Sequence, residues 1–153
     1  MTTRNKGRAL LVAPRFFGYE QEIRSQMLAD GWDVDMLPDR PFDASALKAV
    51  TRVSPALTMP AANAFYDREL QRLAVGRYDL ILVIQGECIF EPTLRMLRAA
   101  YPAARLVFYT WDSLSNKPRS KKQLPLYDEC LSFDQDDATR WNMRFRPLFF
   151  TPG

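Results

Sequence analysis

Three short apolar runs constrain the fold of this chain more than any other feature: Arg8-Ala-Leu-Leu-Val-Ala13, Tyr78-Asp-Leu-Ile-Leu-Val-Ile84 and Arg105-Leu-Val-Phe-Tyr-Thr110. Each is too short for a buried helix. Their apolar residues are consecutive rather than alternating, so both faces must be covered, as in the central strands of a parallel sheet. Tyr19, Ile23 and Met27 recur at fourfold spacing and run into Asp30-Gly31, which predicts a helix with glycine just past its end. Trp32, Val34 and Met36 alternate with Asp33 and Asp35, which predicts a strand with one polar face near an edge of the sheet. Pro38 to Pro60 reads as loop, with a short helix around Ala44 to Val50. Ala61 to Ala74 is helical in pattern and closed by Gly76, and Glu91-Pro92 opens a helix to about Ala100 with proline in its first turn. Lys121 to Tyr127 reads as helix, Glu129 to Phe133 as a short strand, Asp134 to Asn142 as helix and Phe145 to Phe149 as a last strand. Strands that alternate with helices predict an α/β, Rossmann-like three-layer domain with a mainly parallel sheet of five or six strands, spanning residues 1–153 as one unit.

Several function classes are disfavoured by composition. The longest apolar runs fall short of the roughly 18 to 20 residues that span a bilayer, so at most peripheral membrane contact is expected. Cys88 and Cys130 are far apart and the chain has no histidine, which argues against a zinc site and for reduced thiols in a cytoplasmic protein. The net charge of +3 is mild, with basic residues gathered at Arg4 to Arg8, Arg68 to Arg77 and Lys117 to Lys122. Such clusters are solvated faces or places that attract phosphate. No DNA- or RNA-binding signature accompanies them, so no nucleic-acid partner is expected.

A parallel sheet presents its ligands at the carboxyl ends of the strands, which directs attention to the loops after Ala13, Ile84, Thr110 and Phe133. Pro14-Arg-Phe-Phe-Gly-Tyr19 holds one glycine where a dinucleotide fold has several, so no nicotinamide or flavin cofactor is expected. Arg15 there can meet an anion or solvent, and Phe17 and Gly18 belong to the same candidate binding loop. In Gln85-Gly86-Glu87, the glycine permits close backbone approach to a ligand, and Glu87 serves either as a base or sugar-hydroxyl acceptor or as a turn residue. In Trp111-Asp112-Ser113-Leu-Ser-Asn116, an indole and a carboxylate suit a sugar, while a buried anchor with a capping acid accounts for the same residues. Asp134-Gln-Asp136 matches the Asp-x-Asp pattern of metal-dependent sugar transferases. Asp137 and the helical run behind it make a helix cap the preferred reading, with no metal.

Taken in order, Phe16-Phe-Gly-Tyr-Glu20, the Tyr78 to Ile84 run with Gly86-Glu87, Tyr109-Thr-Trp-Asp-Ser113, Phe133-Asp-x-x-Asp-Ala138 and Arg146-Pro-Leu-Phe-Phe150 resemble one family. It is the N-terminal domain of bacterial lipopolysaccharide and capsular polysaccharide biosynthesis glycosyltransferases, GT-B-like and related to spore-maturation glycosyltransferases. Gln85 stands where that family often has a basic residue, so no cationic role is expected of it. The resemblance implies an acceptor-type lobe for a sugar or lipid-linked glycan, with a second domain or chain supplying the nucleotide-sugar site. It leaves the isolated chain catalytically incomplete, with Glu87 and Asp112 as candidate catalytic residues. A non-catalytic module that binds a small molecule or partner through the same loops is the competing expectation.

Overall fold

A computed structural model describes residues 4–41, 49–50, 53–73 and 76–147. The first apolar run forms β1 (Gly7–Ala13), followed by α1 (Tyr19–Ala29), β2 (Trp32–Pro38), α2 (Met59–Leu73), β3 (Leu80–Ile84), α3 (Glu91–Ala100) and β4 (Arg105–Thr110). The chain continues through α4 (Pro118–Gln123), β5 (Glu129–Ser132), α5 (Gln135–Arg140) and β6 (Arg144–Phe145). All six strands pair in parallel in the order β2-β1-β3-β4-β5-β6. The alternating strand of the sequence is indeed an edge, and the three apolar runs are interior.

Side chains alternate across the sheet, as the pleat requires. Leu10, Val12, Ile81, Val83, Leu106 and Phe108 face α2, α3 and α5, whose Ala62, Tyr66, Leu94, Leu97 and Ala138 complete one core. Ala9, Leu11, Ala13, Val34, Ile84 and Tyr109 face the opposite way, with Met27 of α1. Helices therefore cover both faces. Each fully buried leucine or isoleucine contributes about 1.5–3 kcal/mol, which is why the apolar runs of β1, β3 and β4 determine the centre.

Several boundaries differ from the sequence expectation. The third strand begins at Leu80 rather than Tyr78, because Asp79 is diverted: its carboxylate accepts the Arg8 amide at 3.0 Å. The helix expected over Lys121 to Tyr127 starts earlier, with Pro118 in its first turn, and tightens into a 3-10 turn at Leu124–Leu126. Residues 135–140 form a shorter helix than expected, because Asn142 adopts φ 54° and the Met143 amide reaches back to the Ala138 carbonyl at 2.8 Å, a Schellman-type stop. Of the last strand expected at 145–149, Phe145 is in β6 (Arg144–Phe145) and residues 146–147 are not in a strand, while residues 148–149 lie outside the described residues. A 3-10 turn at Pro55–Thr58 precedes α2, while most of the short helix expected at 44–50 lies outside the described residues. No helix among the described residues is long and apolar enough to cross a membrane.

Candidate functional site

The strand order reverses between β1 and β3: α1 leaves β1 toward one face and α3 leaves β3 toward the other. In parallel sheets such a divergence is where ligands are received, at the carboxyl ends of the two strands. The loop after each strand holds a pair of left-handed residues, Phe17 (φ 52°) with Gly18 (φ 78°) at the start of α1, and Gln85 (φ 69°) with Gly86 (φ 63°) directly after β3. A non-glycine residue in this region is unfavourable by about 1 kcal/mol or more, so Phe17 and Gln85 are held there by what surrounds them.

Gln85 shows what holds it. Its side chain is buried, with Oε1 accepting from the Thr110 hydroxyl at 2.9 Å and the Trp111 amide at 3.0 Å, while Nε2 donates to Asp112 Oδ2 at 2.7 Å. The residue clamps the loop after β4 to the loop after β3. Gly86 follows it in the same left-handed turn. It is buried at φ 63°, where glycine is favoured, and a Cβ would meet Phe108, Val83 and the Tyr127 hydroxyl only at ordinary contact distances of 3.4–3.6 Å.

Glu87 is only partly exposed and already committed. Its amide donates to Asp39 Oδ2 at 3.0 Å, and its carboxylate lies 2.5 Å from the Arg40 guanidinium and 3.6 Å from Lys117 Nζ. Lys117 also approaches Asp112 Oδ2 at 3.4 Å, so one ammonium joins both candidate carboxylates. Asp112 is the more open of the two, with its side chain 57% exposed and bonds only through Oδ2. Ser113 caps the 3-10 turn at Leu114–Asn116 by accepting the Ser115 amide, and Asn116 is exposed at its end.

Aromatic groups flank this polar chain. Phe16 and Phe17 are exposed, their rings packed edge to face at 4.6 Å, and the Phe16 ring lies 6.3 Å from that of Trp111. The loops after β1, β3 and β4 therefore meet at one edge of the sheet, with Phe16 after β1 beside Trp111 after β4, and Glu87 after β3 joined to Asp112 through Lys117. Arg15 does not join them. It lines a separate cleft beside β2 and α2.

Asp134 caps α5, its Oδ1 accepting from the Asp136 amide at 2.8 Å and the Asp137 amide at 3.1 Å. Asp137 turns inward and accepts the buried Leu114 amide at 2.6 Å, so the acidic segment anchors the Trp111 loop. Burial raises the thiols of Cys88 and Cys130 to about 12 and about 11, which keeps both protonated near neutrality and poor as nucleophiles.

The site contains residues that the sequence reading did not single out. Asp39 follows β2 and is completely buried; Oδ2 takes the Glu87 amide and Oδ1 has no partner among the described residues. Burial, reinforced by the negative charge of Glu87, raises this carboxyl from 3.8 to about 7, against the opposing pull of the Glu87 amide, Lys117 and Arg40. The Tyr66 hydroxyl secures the segment from below by donating to the Pro38 and Asp39 carbonyls. Arg119 donates to the Glu87 carbonyl and lies 4.1 Å from the centre of the Phe90 ring. The strand-end rule applied to β2 would have pointed to Asp39 and Arg40, and Lys117 and Arg119 sat within a visible basic cluster. Only the fold shows that these residues converge on Glu87.

Compared with models of protein families, with curated proteins and with solved structures, the chain matches none.

Proposed function

We propose that this domain binds the saccharide acceptor of a glycosyl transfer in bacterial surface polysaccharide or lipopolysaccharide synthesis, with the nucleotide-sugar donor held by another domain or chain. One observation carries the reading: the exposed ring of Phe16 and the half-buried indole of Trp111 adjoin an open carboxylate, Asp112, that Gln85 and Lys117 hold in place. A sugar ring offers an apolar face for stacking and hydroxyls for a carboxylate, and both halves of that requirement meet at this edge. Gln85 preorganises Asp112, which reduces the ordering cost of binding. The motif resemblance supplies the transfer chemistry in this reading.

Saturation-transfer NMR with a panel of common mono- and disaccharides tests it. The expected result is ring-proton saturation for at least one saccharide, lost in Trp111→Ala and in Asp112→Ala while circular dichroism stays unchanged. Saturation that persists in both variants, or none across the panel, refutes the assignment. A non-catalytic binding module is the second reading, favoured by the Glu87 carboxylate being held by Arg40 and Lys117 rather than left open as a base. It predicts saccharide binding with no transfer when a nucleotide-sugar-binding partner is supplied.

A further inference from the structure

A second cleft, of about 330 Å³, lies on the far side of β1 from the Trp111 loop, between the carboxyl end of β2 and helix α2. Among the described residues, Arg15, Arg40 and Arg72 line it together with a single acid, Glu69. The three arginines come from the loop after β1, the loop after β2 and the last turn of α2, so only the folded chain brings them to one place. Two of them are already oriented by carboxylates. Arg72 donates from Nε and Nη2 to Glu69 Oε2 at 2.9 and 2.7 Å, and Arg40 is held by Glu87 at 2.5 Å. Arg15 is exposed and has no ion-pair partner among the described residues, so the walls carry an excess of positive charge. Phe65 and Pro41 form an apolar part of the lining, and the Phe65 ring is fixed edge to face against buried Tyr66 at 5.2 Å.

We propose that this cleft binds a phosphorylated small molecule, its phosphate between Arg15 and Arg72 and its apolar portion against Phe65. Guanidinium groups hold phosphate oxygens through paired N–H donors, and a local excess of cations on a recessed wall concentrates anions. The volume falls at the lower end of small-molecule sites, enough for one phosphate and a ring but not for a polymer. Because Glu69 and Glu87 already engage two of the three arginines, the bound phosphate shares those donors. The expected dissociation constant is about 1 mM, tightening as salt is lowered. The assignment does not depend on the saccharide reading, which rests on Phe16, Trp111 and Asp112, none of which lines this cleft; the two regions adjoin only through Arg40, which pairs with Glu87.

Phenyl phosphate is the probe, titrated by calorimetry and by ³¹P NMR at low ionic strength. Saturable one-to-one binding is expected, weakened about fivefold or more by Arg15→Gln and by Arg72→Gln, in keeping with the loss of a charge-assisted bond. Arg95→Gln removes the same charge from an arginine paired with Glu91 on α3 and should leave affinity within about twofold. Phe65→Leu should weaken phenyl phosphate but not inorganic phosphate, and Trp111→Ala should change neither. An equal loss in Arg95→Gln would show that net charge alone attracts the anion, and would overturn the site. Non-saturable titration would overturn it as well. Sedimentation with phosphatidic-acid vesicles, combined with no binding of phenyl phosphate, would replace the small molecule with a membrane surface.

Discussion

Replacing Asp39 with asparagine tests the electrostatics at the end of β2 directly. The carboxyl is completely buried, one oxygen lacks a partner among the described residues, and burial raises its pKa from 3.8 to about 7. A raised folded-state pKa in an acid means that ionisation opposes folding. The protonated protein bears no cost below about pH 4, the cost grows as pH rises, and it is complete above about pH 7. The gap between 3.8 and about 7 corresponds to about 4 kcal/mol in full, of which about 2.5 kcal/mol develops between pH 5 and pH 8. Asparagine keeps an oxygen for the Glu87 amide. It places its NH₂, with two donors, where the protonated acid would place a single O–H, so the variant carries a pH-independent cost that the comparison between the two pH values cancels. Urea denaturation followed through Trp32, Trp111 and Trp141 at pH 5 and pH 8 gives both stabilities, and subtracting the variant removes every other titrating group. Asp39→Asn should gain about 2 to 3 kcal/mol on the wild type between the two pH values, or about 4–12 °C in melting temperature across the same interval. Parallel pH profiles for the two proteins would refute the argument and would mean that Arg40 and Lys117 offset the desolvation of Asp39.

Two further substitutions examine the scaffold beneath the site. Asp134→Ala removes the acceptor of two backbone amides and should cost about 1 kcal/mol by denaturation, with manganese or magnesium leaving the wild-type melting temperature unchanged; a large metal stabilisation that this variant abolishes would make the Asp-x-Asp segment a metal site. Gly86→Ala should cost about 1–2 kcal/mol in chemical unfolding, since alanine is strained in the left-handed backbone at φ 63° while its Cβ finds only ordinary contacts; a neutral result would mean that the turn relaxes freely.

Much of the architecture was legible from the chain alone, because strand identity here is a local property. Leu10 to Ala13, Leu80 to Ile84 and Leu106 to Thr110 are apolar on both faces, and only interior strands of a sheet covered on two sides can bury them. The alternation of Trp32, Val34 and Met36 with aspartates placed β2 at an edge for the same reason. The cap formed by Asp134 was legible too, since a capping residue bonds amides two and three positions ahead of it. The tertiary structure alone decided which strand-end residues meet. Gln85 bonds Asp112, Arg40 pairs with Glu87, and Asp39 receives the Glu87 amide across gaps of 27, 47 and 48 residues. Those partners depend on the strand order β2-β1-β3-β4, which places the ends of β2 and β3 on either side of β1 and brings their loops together over it. The separation of Arg15 from the other candidates has the same origin: the loop after β1 sits at the point where the chain diverges to opposite faces. Phe16 turns toward Trp111 and Arg15 toward α2, although the two residues are adjacent in sequence. Local patterning encodes which residues are buried and in what element, whereas long-range pairing determines which charges share a low-dielectric site, and only the second sets the ionisation of Asp39.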